Sequence, residues 1–176
     1  MGNYHLLIGM FRKINFKIQY LSFGYCLLPI TCCMIFLASC KPIAVYEKNT
    51  VIPKYAWDYH FAATGSFIIN DTAAAYNIYL VIRHTDAYHY NNIWLNIGLQ
   101  PPGDTMHFQK TDLQLGTDAN GWEGTGMNDI WEVRKSLNDK PRRFIKNGTY
   151  NFKISHIMRE NPLLYIMSAG IRVEKK

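Results

Sequence analysis

The fold is decided by residues 76–83, which read Tyr76-Asn77-Ile78-Tyr79-Leu80-Val81-Ile82-Arg83. Every second residue from Tyr76 to Ile82 is apolar, which is the period of two that a β-strand requires. The residues between them include Tyr79 and Val81, so the second face is largely apolar as well. A strand with two apolar faces is typical of the middle of a sheet. The stretch therefore predicts a central strand.

The same alternation continues on both sides of this stretch. It predicts half-buried strands at 93–100 and 150–156, a last strand at 163–173, and weaker strands at 59–69 and 129–137. In the segment 105–115 the apolar phase slips between Phe108 and Leu113, which predicts a bulge near Lys110 to Asp112. Turn sequences such as Asn147-Gly148 separate the strands.

Together these patterns predict an all-β chain, a single antiparallel β-sandwich of about seven to nine strands with a jelly-roll-like arrangement. The chain has 176 residues, of which 48% are hydrophobic and 14% aromatic. This size and composition suffice for one domain and exclude wholesale disorder or a disulfide scaffold. We expect a signal peptide at 1–39, a lipidated N-terminus and tether at 40–56 with one edge strand near Val45, and the sandwich at 57–176.

The net charge of +6 is concentrated at the N-terminus. Arg12, Lys13 and Lys17 lie in the first 39 residues, which contain no acidic side chain. They precede an uncharged, largely apolar run from Tyr20 to Leu37, and together these regions are typical of a secretory signal. From Cys40 onward, 16 basic and 13 acidic residues remain, a balance that does not indicate nucleic-acid binding.

The apolar run ends in Leu37-Ala38-Ser39-Cys40. A leucine, two small residues and a cysteine resemble the lipobox of bacterial lipoproteins, in which the cysteine is lipidated and the leader is cut just before it. Cys26, Cys32 and Cys33 would leave with the leader, so the mature chain keeps Cys40 alone and forms no internal disulfide. The alternative is an uncleaved signal anchor, because the apolar run is just long enough to span a bilayer. Met10 is an alternative start.

The sequence offers no complete catalytic or metal-binding motif. The glycines of residues 121–126 are flanked by predicted strands, which favours a hairpin over a phosphate-binding loop. Asp118, Asn120 and Glu123 miss the spacing of a full calcium loop. His84 and His89 lack an evident third zinc ligand. We therefore predict no catalytic residue, no metal and no cofactor.

Two segments are candidates for binding. The densest basic cluster, which could bind anionic lipid, glycan or nucleic acid but is more typical of a solvated edge, comprises Lys140, Arg142, Arg143 and Lys146, with Arg134 and Lys135 nearby. The loop of residues 83–92 joins two strong strands and carries the amphipathic side chains found at recognition surfaces. A packed connection is an equally good interpretation of this loop. Its candidate partner-binding residues are Arg83, Tyr88, Tyr90, Asn91 and Asn92.

Several separated motifs, in this order, resemble the GldH family of gliding-motility lipoproteins. The resemblance covers residues 55–175, and a lipobox is expected where Cys40 stands. The motifs that carry it are Tyr76-Asn77, Ile82-Arg83-His84, residues 88–95, Asp104-Thr105, residues 121–126, Gly148-Thr149-Tyr150, residues 158–163 and Gly170-Ile171-Arg172.

The resemblance implies a non-enzymatic, lipid-anchored component of the gliding machinery of Bacteroidota-type bacteria, which is associated with type IX secretion. Its partners would be the membrane, through the lipid on Cys40, and other gliding-motility envelope proteins, with no nucleic acid and no small-molecule substrate. Position 41, after the cysteine, is Lys rather than Asp, and no acidic run follows it, so the usual signals for inner-membrane retention and for surface export are both missing. The periplasmic face of the outer membrane is therefore the default location. The alternative function is a carbohydrate-binding module that uses Trp94, Trp122 or Trp131 for stacking.

Lipidation at Cys40 has a direct test. The substitution Cys40→Ser removes the sulfur that accepts the lipid, so we expect it to abolish palmitate labelling and to stop cleavage of the leader. Labelled palmitate incorporation and the mass of the protein on gels measure both effects. Label that persists in the variant would show that the lipid is elsewhere.

Overall fold

Strands form along most of the chain that the structure, a computed structural model, describes, which is residues 45–176. The connections are short turns, and one 3-10 turn covers Pro53–Tyr55. The strands are β1 (Val45–Val51), β2 (Ala56–Trp57), β3 (Ala63–Ile69), β4 (Tyr76–Thr85), β5 (Asn92–Gln100), β6 (His107–Gln114), β7 (Gly116–Thr117), β8 (Gly121–Trp122), β9 (Thr125–Met127), β10 (Ile130–Ser136), β11 (Gly148–His156), β12 (Leu163–Leu164) and β13 (Ile166–Lys175).

Nine of these strands build two antiparallel sheets. The five-stranded sheet has the order β1-β13-β4-β10-β9, and the four-stranded sheet has the order β3-β11-β5-β6. Long strands that follow each other along the chain lie mostly in opposite sheets, as in a jelly roll. The other four strands are two-residue pairs, β12 with β2 and β7 with β8. The predicted all-β sandwich is confirmed.

The central strand is also where the sequence predicted it. β4 lies in the middle of the five-stranded sheet, between β13 and β10. Its residues Ile78, Leu80 and Ile82 face the four-stranded sheet and are buried. They meet the inner residues of β5 and β11, such as Leu95 and Ile154, in one continuous core. Burial of these alternating side chains is the main force that holds the two sheets together.

One expectation about local structure is wrong. The pairing of β5 with β6 runs without a break from Asn92 opposite Gln114 to Leu99 opposite His107, so no bulge interrupts Lys110 to Asp112. The apolar phase slips because Phe108 lies half-exposed on the outer face, over Gly98, where a Cβ atom would collide with its ring.

The edge strand that the sequence predicted near Val45 is present as β1, at one edge of the five-stranded sheet. β1 pairs with β13 along its whole length, and Ile52, which follows β1, is fully buried in the core. The folded sheet therefore includes residues from Val45 onward, upstream of the predicted boundary at 57. The part of the predicted tether that precedes Val45, the signal peptide and Cys40 lie outside the described residues.

The loops collect at two opposite ends of the sandwich. At one end β4 finishes and β5 begins, and we call it the motif end, defined by residues 86–91, 115–124 and 157–162. At the other end β4 begins and β13 finishes, and we call it the basic end, defined by residues 70–75, 101–106 and 137–147. β1 starts at the basic end, because Val45 pairs with Glu174.

Within residues 45–176, no helix has the length and apolar character needed to cross a membrane.

Candidate functional site

Three segments that are far apart in sequence meet at the motif end. Residues 86–91 contact residues 115–124 through Asn91, whose carbonyl accepts hydrogen bonds from the amides of Leu115 (2.7 Å) and Gly116 (3.0 Å). Residues 157–162 join them through Tyr90, whose hydroxyl donates to Glu160 Oε2 at 3.0 Å. All three segments belong to motifs singled out in the sequence. The antiparallel pairing therefore gathers these motifs into one surface.

The two tyrosines of the 83–92 loop have different environments. Tyr88 is only 4% exposed, its ring lies 6.3 Å from that of Trp122, and its hydroxyl donates to the carbonyl of Asn92 at 3.1 Å. Burial raises the pKa of the Tyr88 hydroxyl. Tyr90 is 38% exposed and packs edge-on against the Tyr88 ring. Tyr88 fits the packed connection that the sequence left open for this loop, because its ring is buried beneath the loop.

The other predicted binding residues of this loop do not form one patch with Tyr90. Arg83 lies on the outer face of the five-stranded sheet, where it pairs with Glu132 at 2.6 Å. Asn92 lies on the four-stranded sheet and donates to Asp112 Oδ1 at 2.8 Å. Asn91 is exposed beside Tyr90. The structure therefore brings together Tyr90 and Asn91 and places Arg83 and Asn92 on different sheets.

Tyr59 braces the motif end and was not singled out from the sequence. Its hydroxyl donates to the carbonyls of Met158 (3.0 Å) and Arg159 (3.2 Å), and its amide donates to Asn161 Oδ1 at 2.9 Å. These contacts hold residues 157–162 beside Tyr90. A single tyrosine about a hundred residues away in sequence carries no local signal of this role.

Trp94 occupies the outer face of the four-stranded sheet and is 44% exposed. It lies opposite Asp112 on β6, and on the other side its carbonyl accepts a hydrogen bond from the amide of Ile157 at 2.9 Å. Trp122 is packed against the core and Trp131 covers Gly126, so these two rings are less available than Trp94 for stacking on a ligand. The polar side chains that share the strand face with Trp94 are Asn92, Asn96, Lys110, Asp112 and Gln114.

Two histidines are buried near the motif end. His84 Nδ1 lies 2.8 Å from the carbonyl of Thr85, and no described residue offers a partner to its Nε2. His156 is stacked on Tyr59 with a ring separation of 4.9 Å, and neither of its nitrogens has a described hydrogen-bond partner. Burial lowers the pKa of both imidazoles below their ordinary value of 6.5.

The hairpin interpretation of residues 121–126 is confirmed. β7 and β8 pair across a turn at 118–120, and β9 pairs with β10. Gly124 has φ of +90° and its Cα lies so close to the Glu132 carbonyl that a Cβ atom would be 2.1 Å from its oxygen. Glu123 forms an ion pair with Lys135. Among residues 45–176 no three His, Cys, Asp or Glu side chains are placed to hold a metal ion.

The electrostatics of the motif end are acidic. Within residues 86–91, 115–124 and 157–162 the cation is Arg159, while the carboxylates are Asp86, Asp118, Glu123 and Glu160. A surface of this kind attracts basic partners at long range.

Comparison with known proteins connects this geometry to a family. The model of the GldH lipoprotein family matches residues 44–173, which is most of the chain and all of its two sheets apart from the last residues of β13. The chain belongs to the GldH lipoprotein family. The resemblance to this family in the sequence motifs is confirmed, and the GldH match includes every segment that meets at the motif end.

Two curated relatives extend the GldH match over most of their own lengths. The gliding motility lipoprotein GldH of Flavobacterium johnsoniae is 23% identical over 149 residues, covering 81% of this chain and 91% of the relative. A GldH homolog of Christiangramia forsetii is 26% identical over 152 residues, covering 81% and 90%. Among solved structures, the VP2 subviral particle of infectious bursal disease virus is similar with a TM-score of 0.30 and 14% identity. That likeness covers 78% of this chain and 34% of the viral chain, and is too low to indicate a shared fold.

The buried histidines predict a loss of stability in acid. The unfolded chain takes up protons as the pH falls through 6.5, whereas burial keeps His84 and His156 neutral in the folded state to a lower pH. The free energy of unfolding should therefore be highest above pH 6.5 and decrease below it. In His156→Phe the decrease should be smaller, because a phenyl ring keeps the stacking and binds no proton.

Chemical denaturation at a series of pH values measures this effect. His107→Asn is the matched control, since His107 is exposed. Stability curves of wild type and His156→Phe that run parallel below pH 6.5 would contradict the assignment.

Proposed function

We propose that this chain is a lipid-anchored, non-enzymatic component of the gliding-motility machinery that acts as a structural or adaptor protein in the cell envelope. Membership of the GldH lipoprotein family supports the role in gliding, as do the names of the two curated relatives. The sequence Leu37-Ala38-Ser39-Cys40 after an apolar run supports the lipid anchor. We place the anchor in the periplasmic face of the outer membrane.

The observation that carries the adaptor role is the convergence at the motif end. The Tyr90 ring packs on the Tyr88 ring, and its hydroxyl is held by a hydrogen bond to Glu160. Tyr90 therefore loses little side-chain entropy when a partner binds. Asn91 beside it offers amide donors and acceptors. We propose Tyr90 and Asn91 as the centre of a docking surface for another envelope protein of the machinery. Tyr88 supports this surface from below, because its ring contacts that of Tyr90, while Arg83 and Asn92 lie beside it on different sheets.

The acidic character of the motif end indicates what the partner looks like. A basic surface with a pocket for an aromatic ring would complement the carboxylates and Tyr90. The buried position of Tyr88 means that its contribution is structural, because it holds the Tyr90 ring in place.

A second function, carbohydrate binding, is favoured by one observation. The Trp94 ring lies half-exposed on a sheet face that also carries amide, carboxylate and ammonium side chains. Sugars bind to proteins by stacking their apolar faces on aromatic rings while polar side chains take up the hydroxyls. Among the three tryptophans considered from the sequence, Trp94 alone has this environment.

The docking proposal separates two substitutions that look similar in sequence. Tyr90→Ala removes an exposed ring, so we expect it to reduce colony spreading while the melting temperature stays near that of wild type. Tyr88→Ala removes a buried ring and should cost about 3 kcal/mol of folding free energy. Thermal melting of the purified protein and spreading of cells that carry each variant measure the two effects.

Tyr55→Ala is the matched control, because it removes a tyrosine ring of similar exposure from outside the three motif-end segments. Normal spreading of cells with Tyr90→Ala, at normal protein levels, would overturn the docking role of this residue.

The carbohydrate proposal predicts a different pattern. Trp94→Ala should abolish retention of the protein on envelope polysaccharide while Tyr90→Ala leaves it intact. Affinity electrophoresis in gels that contain the polysaccharide measures retention. Wild-type protein that migrates equally with and without the polysaccharide would eliminate this second function.

A further inference from the structure

The loop of residues 137–147, at the basic end, carries an unusual density of free positive charge. Its one carboxylate is Asp139, against Lys140, Arg142, Arg143 and Lys146. All four cations are exposed. Within residues 45–176, none of them forms an ion pair with a carboxylate.

The cations of the five-stranded sheet behave differently. Arg83 and Arg134 pair with Glu132, Arg172 pairs with Glu47 at 2.7 Å, and Lys135 pairs with Glu123. Apart from Lys48 on β1, the cations of this sheet therefore have carboxylate partners within the described residues. The charge of the 137–147 loop is left for a ligand from outside, because its side chains touch neutral groups, such as the carbonyl of Pro102, to which Lys146 Nζ donates at 3.3 Å.

The tip of this loop also presents an apolar side chain. Phe144 is buried against the rings of Phe67, Tyr76 and Tyr150, at centroid distances of 5.8, 5.4 and 4.7 Å. With Phe144 fixed inside, its neighbour Ile145 is directed outward and is 95% exposed. Ile145 is followed by Lys146 and lies two residues after Arg143. An exposed apolar side chain with basic side chains beside it combines the two features that favour binding at a membrane interface.

The same end of the domain is where the chain leads to the anchor. Tyr46, next to Val45, lies 5.8 Å from the ring of Phe67, which in turn contacts Phe144. The start of β1 and the basic loop are thus joined by one run of packed rings. Cys40 precedes Val45 by five residues. Five residues of extended chain span at most about 17 Å.

We propose that the 137–147 loop binds the anionic headgroups of the membrane that holds the anchor, with Ile145 in the interface and Lys140, Arg142, Arg143 and Lys146 on the phosphates. This inference rests on the proposed lipidation of Cys40, which brings the basic end to a membrane surface. Anionic headgroups attract basic side chains within a Debye length of the surface, about 8 Å at physiological ionic strength. A tether that spans at most about 17 Å keeps the basic end within a short distance of that layer.

The contact would fix the orientation of the domain. The acidic motif end lies at the far end of the strands from the loop, so it would be repelled by the same headgroups and point away from the membrane. Tyr90 would then be presented at the greatest distance from the membrane that the length of the sandwich allows.

The test is a lysine footprint on the mature, acylated protein in vesicles. The protein is reconstituted in phosphatidylcholine alone or in phosphatidylcholine mixed with phosphatidylglycerol, and the acetylation rate of each lysine is measured by mass spectrometry. We expect Lys140 and Lys146 to react roughly threefold or more slowly in the anionic vesicles, with full recovery in high salt. Lys54 in the 3-10 turn and Lys153 on the outer face of the four-stranded sheet are internal controls and should not change.

Charge reversal identifies the loop as the cause. Arg143→Glu should remove most of the protection of Lys140 and Lys146. Lys153→Glu, a charge reversal on the outer face of the four-stranded sheet, should leave that protection intact. Both residues are exposed, so thermal melting should be unchanged. Equal acetylation rates of Lys140 and Lys146 in the two kinds of vesicle would overturn the proposal. Protection that needs added envelope proteins would overturn it in favour of an acidic protein partner.

Failure of the anchor is visible separately. A protein that does not float with neutral vesicles has no membrane anchor, and the proposed lipidation is then wrong. If Lys140 and Lys146 of that protein are still protected in anionic vesicles, the headgroup contact stands by itself. If they are not, both proposals are wrong.

Discussion

The architecture depends on the pairing of β13 with strands on both of its sides. β13 takes β1 on one edge and β4 on the other, so the first and last strands of the described chain lie next to each other in the five-stranded sheet. Gly170 makes this possible at one point, because any Cβ there would meet the backbone of Lys48 and Asn49. The pairing brings the start of β1 to the basic end, where β13 finishes, so the chain enters the sandwich at the end opposite to the motif end.

The sequence was sufficient to predict the sheets, because period-two burial is a local property. β4 and β5 follow their alternation residue by residue, and the two hairpins around Gly121 follow turn chemistry that is also local. The features that the sequence did not predict depend on contacts between residues in different strands. The full extent of β1 depends on its pairing with β13, which is more than a hundred residues away, and Phe108 lies on the outer face over Gly98 of a neighbouring strand.

The candidate site illustrates the same limit. Tyr88 and Tyr90 have similar sequence surroundings, and only the packing of Trp122 under the loop separates a core tyrosine from a surface one. The sequence places Trp94 on the other face of β5 from Ile93 and Leu95, where it could line a second core or lie on the surface. Exposure of Ile145 could not be predicted, since it follows from Phe144 entering a cluster of rings contributed by three other strands.

The direction of β1 has a mechanical consequence. A force applied between residue 45 and the motif end runs along the strands, and it loads the seven residue pairs between β1 and β13 in shear. The hydrogen bonds of an antiparallel pair lie perpendicular to the strands, so a shearing force is shared by all of them at once, whereas a peeling force would break them one after another. A domain held at the start of β1 and pulled from the opposite end is therefore loaded in its most resistant direction.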